Sequence, residues 1–115
     1  MIQTLATAQR LIDVFRSVDP EFSPGMIACF LTIARFDGIS QHQIAERIGH
    51  RPASVSRFCA MLAEYGRGGK AGLRLITIHE CPSDRRLREM RLTPKGQAVI
   101  ENINHALAPQ TLSAA

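Results

Sequence analysis

Between Ile39 and Gly96 the chain sets down four pieces whose order leaves few folds open. Ser40 stands ahead of a short helical run in which Ile44 and Ile48 fall four residues apart on one face, and Gly49 stops it. Pro52 opens a second short helix, where Val55, Phe58, Cys59 and Leu62 recur at i, i+3, i+4 and i+7. A stretch rich in β-branched and apolar residues, Leu73 to Cys81, turns at Pro82-Ser83-Asp84 and returns as Leu87 to Leu92. Thr93-Pro94 then supplies a cap and a first-turn proline for an exit helix presenting Val99, Ile100, Ile103 and Leu107.

Helix, tight turn, helix and two-stranded hairpin, in that order, predict a winged helix-turn-helix. The fold class is mainly α with a small β-hairpin (α+β). The flanks fit that frame. Residues 2–18 look helical, with an apolar stripe wider than one core-facing side needs, so the helix is expected to be shared with a second copy of the chain. Asp19-Pro20-Glu21-Phe22 breaks it, and Ser23-Pro24 starts a helix running to about Phe36 that buries Met26, Ile27, Phe30, Leu31 and Ala34. Asp37-Gly38 ends that helix. Residues 66–72 read as a flexible basic loop, Leu75-Ile76 as the site of a bulge, and the tail beyond Ala108-Pro109 as frayed.

At 115 residues the chain is expected to be one domain. Within it lie a dimerisation helix over 1–20, a helix-turn-helix over 39–66, a wing over 73–92 and a C-terminal helix over 93–108. The dimer interface is expected to use Leu5, Leu11, Ile12 and Phe15 with Ile103 and Leu107.

Charge is distributed to match. Residues 1–50 carry Arg10, Arg16, Arg35 and Arg47 against Asp13, Asp19, Glu21, Asp37 and Glu46, a net −1. Residues 51–95 carry Arg51, Arg57, Arg67, Lys70, Arg74, Arg85, Arg86, Arg88, Arg91 and Lys95 against Glu64, Glu80, Asp84 and Glu89, a net +6. Positive charge gathered in one segment is what phosphate binding by counterion release requires. Twelve of the fourteen basic residues are arginine, which suits forked contacts to phosphate or guanine.

The second helix of such a pair enters the major groove by its N-terminal end, where base edges are legible and where free backbone N–H groups favour a phosphate. Pro52, Ala53, Ser54, Ser56 and Arg57 occupy that end, and Arg57 is best suited to the O6 and N7 acceptors of guanine. Arg51 is read as a phosphate contact, and Ser40 and Arg74 are counted with it among the DNA-binding residues. Arg85 and Arg86 at the wing tip suit a minor groove or phosphates, with Asp84 holding one of them by an ion pair.

Other chemistries are poorly served. Cys29, Cys59 and Cys81 are odd in number and widely spaced, and His42, His50, His79 and His105 fall at no zinc-ligand spacing from them. Cys29 and Cys59 are read as core and Cys81, beside the wing, as the one candidate for thiol sensing. No phosphate-loop, metalloprotease or nucleophile–base motif is present, so neither an enzyme, a metal nor a cofactor is expected. No apolar run reaches the roughly 18 residues that span a bilayer, and the start lacks a secretory pattern, so a cytoplasmic protein is expected.

Ala45-Glu46-Arg47-Ile48-Gly49, then Pro52-Ala53-Ser54-Val55-Ser56-Arg57, then Asp84-Arg85-Arg86 and Leu92-Thr93-Pro94-Lys95-Gly96 together resemble the MarR family of winged-helix regulators over about residues 26–104. The family's aspartate–any–arginine wing signature falls here at Asp84 and Arg86. The resemblance implies a homodimeric bacterial or phage transcription factor on a pseudo-palindromic operator in double-stranded DNA. The basic 51–95 segment with the helix-turn-helix and wing leads to the expectation of a repressor acting by occlusion. Arg51 departs from the family's serine or threonine, the glycine-rich loop is longer, and the C-terminus is shorter; a small-molecule effector is left open. Two other functions compete: a centromere-binding or replication-accessory protein of a plasmid or phage, and an adaptor that keeps the winged fold for protein contacts.

Overall fold

A computed structural model describes residues 2–64 and 71–108, with the side chains of Arg85 and Arg86 left outside the description. Among the described residues five helices and three strands follow one another as α1 (Ile2–Val18), α2 (Pro24–Arg35), β1 (Ile39–Ser40), α3 (Gln41–Ile48), α4 (Pro52–Leu62), β2 (Ile76–Cys81), β3 (Asp84–Leu92) and α5 (Pro94–Leu107). The helix starts have local causes. Ser23 Oγ accepts from the Met26 N–H at 3.3 Å ahead of Pro24, and Thr93 Oγ1 accepts from the Gly96 N–H at 3.0 Å ahead of Pro94. Ser40 and Gln43 form a reciprocal capping box at the head of α3, and Gly49 closes that helix in the left-handed region at φ 70°.

The core is built around aromatic contacts. Phe15 of α1, Phe22 of the connection that the sequence marks as a breaker, and Phe30 of α2 pack with ring centroids 4.9–6.4 Å apart, and Met26, Ile33, Ile44, Val55, Leu62, Leu75, Ile76 and Met90 are buried with them. Cys29 and Cys59 are both fully buried, as expected, and their sulfurs meet at 3.6 Å between α2 and α4. That contact and burial push the Cys29 thiol well above its ordinary range, so it stays protonated.

Three features differ from the sequence reading. The sheet has three strands, in the order β1-β3-β2, because Ile39 and Ser40 pair with Met90 and Glu89. The first wing strand begins at Ile76 rather than Leu73. Residues Gly72 to Leu75 instead return to the end of α4 and donate their N–H groups to the carbonyls of Glu64, Met61, Ala63 and Leu62. Gly72 is needed there, since a Cβ would come within 1.9 Å of the Ala63 oxygen. The register irregularity lies not at Leu75-Ile76 but between Glu80 and Cys81, near the wing tip, where β3 starts at Asp84 opposite Cys81.

The chain is drawn out, 54 Å along its longest axis against 29 and 27 Å, with a radius of gyration of 15.5 Å. A compact chain of this length would have about 13 Å. Helices α1 and α5 pack together, and Arg10 Nε ties them by donating to the Ala106 carbonyl at 3.0 Å. Ile2, Leu5, Ile12 and Leu107 are left exposed on this pair. Phe15 and Ile103, expected at a subunit interface, are buried within the single chain. Leu11 is half-buried against the core. Among the described residues no helix is long and apolar enough to cross a membrane.

Candidate nucleic-acid interface

The helix α4 is seated by its apolar face and left bare at its start. Val55, Cys59 and Leu62 are buried, and Phe58 lies against Gly25 of α2, where a Cβ would come within 2.4 Å of the ring. Glycine at that crossing lets the two helices approach closely. On the other side Pro52, Ala53, Ser56 and Arg57 are exposed and Ser54 is half-buried. The first turn therefore offers small side chains and one arginine to any surface that approaches it. The Arg57 guanidinium lies 6.0 Å from the Phe58 ring centroid, at the limit of a cation–π contact.

Arg51 is the N-cap residue of α4. Its backbone is extended (φ −67°, ψ 145°), as a cap requires, but its side chain makes no capping hydrogen bond. An exposed cation thus sits at the positive end of the helix dipole, an arrangement that an approaching anion relieves. His50 stands beside it, edge-on to Phe58 with centroids 5.4 Å apart.

Ser40 lies on the same side of the sequence motif but has a structural duty: its oxygen accepts from Gln43 N–H at 3.2 Å, which leaves the hydroxyl proton to donate. Arg74 is exposed at the base of the wing in the left-handed region, at φ 58°, the one such non-glycine among the described residues. Its carbonyl accepts from Thr93 Oγ1 at 2.7 Å and its N–H donates to Ala63 O at 3.0 Å. Asp84 begins β3 at the wing tip; the ion pair expected of it involves the side chains of Arg85 and Arg86, which lie outside those described. So does the glycine-rich loop over 66–70, and the tail from 109.

Among the described residues two basic residues of the +6 segment are spoken for, Lys95 by the Leu73 carbonyl at 2.9 Å and Arg91 by carboxylates. Arg91 forms an ion pair with Asp37 and a second with Glu89 at 3.1 Å, across β1 and the end of α2, so it braces the sheet. Sequence reasoning had no means to separate it from the exposed arginines, because its partner lies 54 positions away. It also passed over the pair Arg35 and Arg47, whose guanidinium groups stack on Phe36. Cys81 is half-buried, its sulfur 3.1 Å from Ser83 Oγ. Among the described residues no group of three or more His, Cys, Asp or Glu side chains is placed to hold a metal ion.

No family model matches the sequence. Solved structures do. The S. aureus MepR–DNA complex superposes with a TM-score of 0.73 at 16% identity, covering 91% of this chain and 78% of that one. The PcaV transcriptional regulator from Streptomyces coelicolor gives 0.62 at 21% identity, covering 99% and 86%. A MarR transcriptional regulator from Methanosarcina mazei Go1 gives 0.65 at 16% identity, covering 90% and 69%. At these identities the likeness is one of fold: the chain has the winged helix-turn-helix fold of MarR-type regulators.

Proposed function

We propose that this chain is a sequence-specific double-stranded DNA-binding transcriptional regulator of the MarR type, working as a homodimer on a pseudo-palindromic operator and repressing by occlusion. The observation that carries the proposal is the bare first turn of α4, with Arg51, Ala53, Ser56 and Arg57 exposed at its N-terminal end. Around it lies the segment of net charge +6. A helix presented in this way reads base edges with its first turn, while flanking cations hold the phosphates. The exposed apolar side chains of Ile2, Leu5, Ile12 and Leu107 support pairing of two copies through α1 and α5. Two recognition helices would then meet two half-sites.

In this reading Arg57 contacts a base and Arg86 contacts the backbone or minor groove. Selection from random duplexes at moderate salt tests it: enrichment of a two-fold symmetric sequence is expected, and no enrichment of any sequence refutes it. On the selected duplex, Arg57→Ala should reduce discrimination between sequences more than Arg86→Ala does. Equal effects on all sequences would assign Arg57 to a phosphate instead.

A further inference from the structure

The half of the chain whose charge sums to −1 nevertheless contains a built cationic feature. Arg35 ends α2 and Arg47 lies in the last turn of α3; their guanidinium carbons sit 4.9 Å and 3.9 Å from the ring centroid of Phe36. Both arginines are exposed, and the ring they share is half-buried. Among the described residues neither has a carboxylate at ion-pair distance, and the nearby acids are engaged elsewhere. Asp37 pairs with Arg91, and Glu46 accepts from His42 at 3.0 Å.

A guanidinium laid on an aromatic face keeps its N–H edge free for an oxyanion and gives up little further freedom when one docks. Each guanidinium presents the forked N–H edge that phosphate oxygens fit, and the shared ring keeps the two cations near one another. An open cleft of about 430 Å³ adjoins Phe36 and Arg47, and its two carboxylates, Asp37 and Glu46, are the ones already paired with Arg91 and His42. Arg47 is also four residues ahead of Arg51, across the Gly49 turn. Fully extended, that is no more than about 14 Å of chain. A duplex, which carries one phosphate charge per about 1.7 Å of its axis, presents several phosphates within such a span.

We infer that Arg35, Phe36 and Arg47 form a phosphate-binding site. Phe36 is the platform and the two arginines are the ligands. Resting on the function proposed above, the occupant is a backbone phosphate outside the stretch read by α4; a free phosphate or phosphate monoester has the same chemistry and is the alternative source.

Two measurements on the full-length chain separate these. The first is duplex affinity between 50 and 200 mM salt for the native chain, Arg35→Gln/Arg47→Gln and Phe36→Leu, each checked for an unchanged melting transition. Each lost backbone contact should shrink the fall in affinity over that range by about 3.5-fold, with the preference among sequences kept. Phe36→Leu should fall between the native chain and the double variant, because the charges stay but their platform is gone. The second is titration of the DNA-free chain with inorganic phosphate at constant ionic strength, following the Arg35 and Arg47 Nε–H resonances. A shallower salt dependence with unmoved resonances assigns the site to backbone phosphate. Saturable movement of both resonances, abolished by Phe36→Leu, with an unaltered salt dependence, assigns it to a free phosphate. If neither changes, or if Phe36→Leu matches the native chain in both, the inference is overturned. Should the native chain prefer no duplex sequence, the proposed function fails and the phosphate titration alone still decides the site.

Discussion

Arg51→Ser separates what α4 needs to fold from what it needs to bind. The N-cap backbone already has the extended conformation a capping serine uses, so no rearrangement is required. A serine hydroxyl there would accept an N–H of the first turn, which is worth about 1 kcal/mol. Removing a cation from the positive end of the dipole adds about 0.3–1 kcal/mol at low salt. Together these come to about 1–2 kcal/mol, or a rise of about 4–8 °C in melting temperature for a chain of this size. If Arg51 holds a phosphate, as proposed, the same substitution lowers the slope of log affinity against log salt by about 0.9. Thermal melting by circular dichroism and fluorescence anisotropy with a labelled operator across a salt series measure the two effects on one preparation. An unchanged or lowered melting temperature would refute the capping argument. A raised one with the salt slope intact would remove Arg51 from the interface.

Gly96→Ala should destabilise the fold by more than 2 kcal/mol in urea unfolding, since the added Cβ would lie 2.2 Å from the backbone oxygen of Leu75, which cannot yield as a side chain could. Gly49→Ala meets nothing within 4 Å and suffers only its positive φ, so about 1–2 kcal/mol is expected. Leu5→Asp/Ile12→Asp should leave the melting of the fold to its core residues but abolish dimers in sedimentation velocity, and with them tight operator binding; a dimer that survives would move the interface off α1. The raised pKa of Cys29 favours the neutral thiol in the folded state, so its contribution is intact below the unfolded thiol pKa and is lost as pH rises above it. Relative to Cys29→Ala, the native chain should therefore lose about 1–2 kcal/mol of its advantage between pH 8 and 10. A constant difference would show that the thiol ionises freely.

Local chemistry made most of the architecture legible. Ser23, Ser40 and Thr93 each cap the helix they precede, and the i, i+3, i+4, i+7 pattern from Val55 to Leu62 marks the buried face of α4. What escaped was non-local. Two residues, Ile39 and Ser40, carry too little pattern to announce a strand, and their pairing with β3 is fixed only when the fold closes. The apolar stripe of residues 2–18 is visible in the sequence, but the division between Phe15, buried by Phe22 and Phe30, and Leu5, exposed, depends on which neighbours arrive. The same holds for charge. Arg91 and Arg57 are alike as letters; one is neutralised by Asp37 and Glu89, the other stands bare.

The segment from Gly72 to Leu75 explains why the wing and α4 should act as one part. The last carbonyls of α4 are satisfied by this segment's N–H groups rather than by a side chain or a glycine cap, so the helix end and the base of the wing share hydrogen bonds. The other side of the segment is held by α5 and the residue before it: Thr93 Oγ1 on Arg74 O, Lys95 Nζ on Leu73 O at 2.9 Å, and Gly96 against Leu75 O. Arg74 keeps an unfavourable φ of 58° inside this clamp, a strain that persists because bonds on both sides over-determine it. Because α5 also packs on α1, a tilt of the α1–α5 pair would reach Leu73–Leu75 and from there both α4 and the wing at once. In a dimer joined through α1 and α5, the distance between the two recognition helices is then set by how two such pairs pack. In the proposed dimer, half-site spacing would follow from side chains such as Leu5 and Ile12, far in the chain from the proposed base-reading residues.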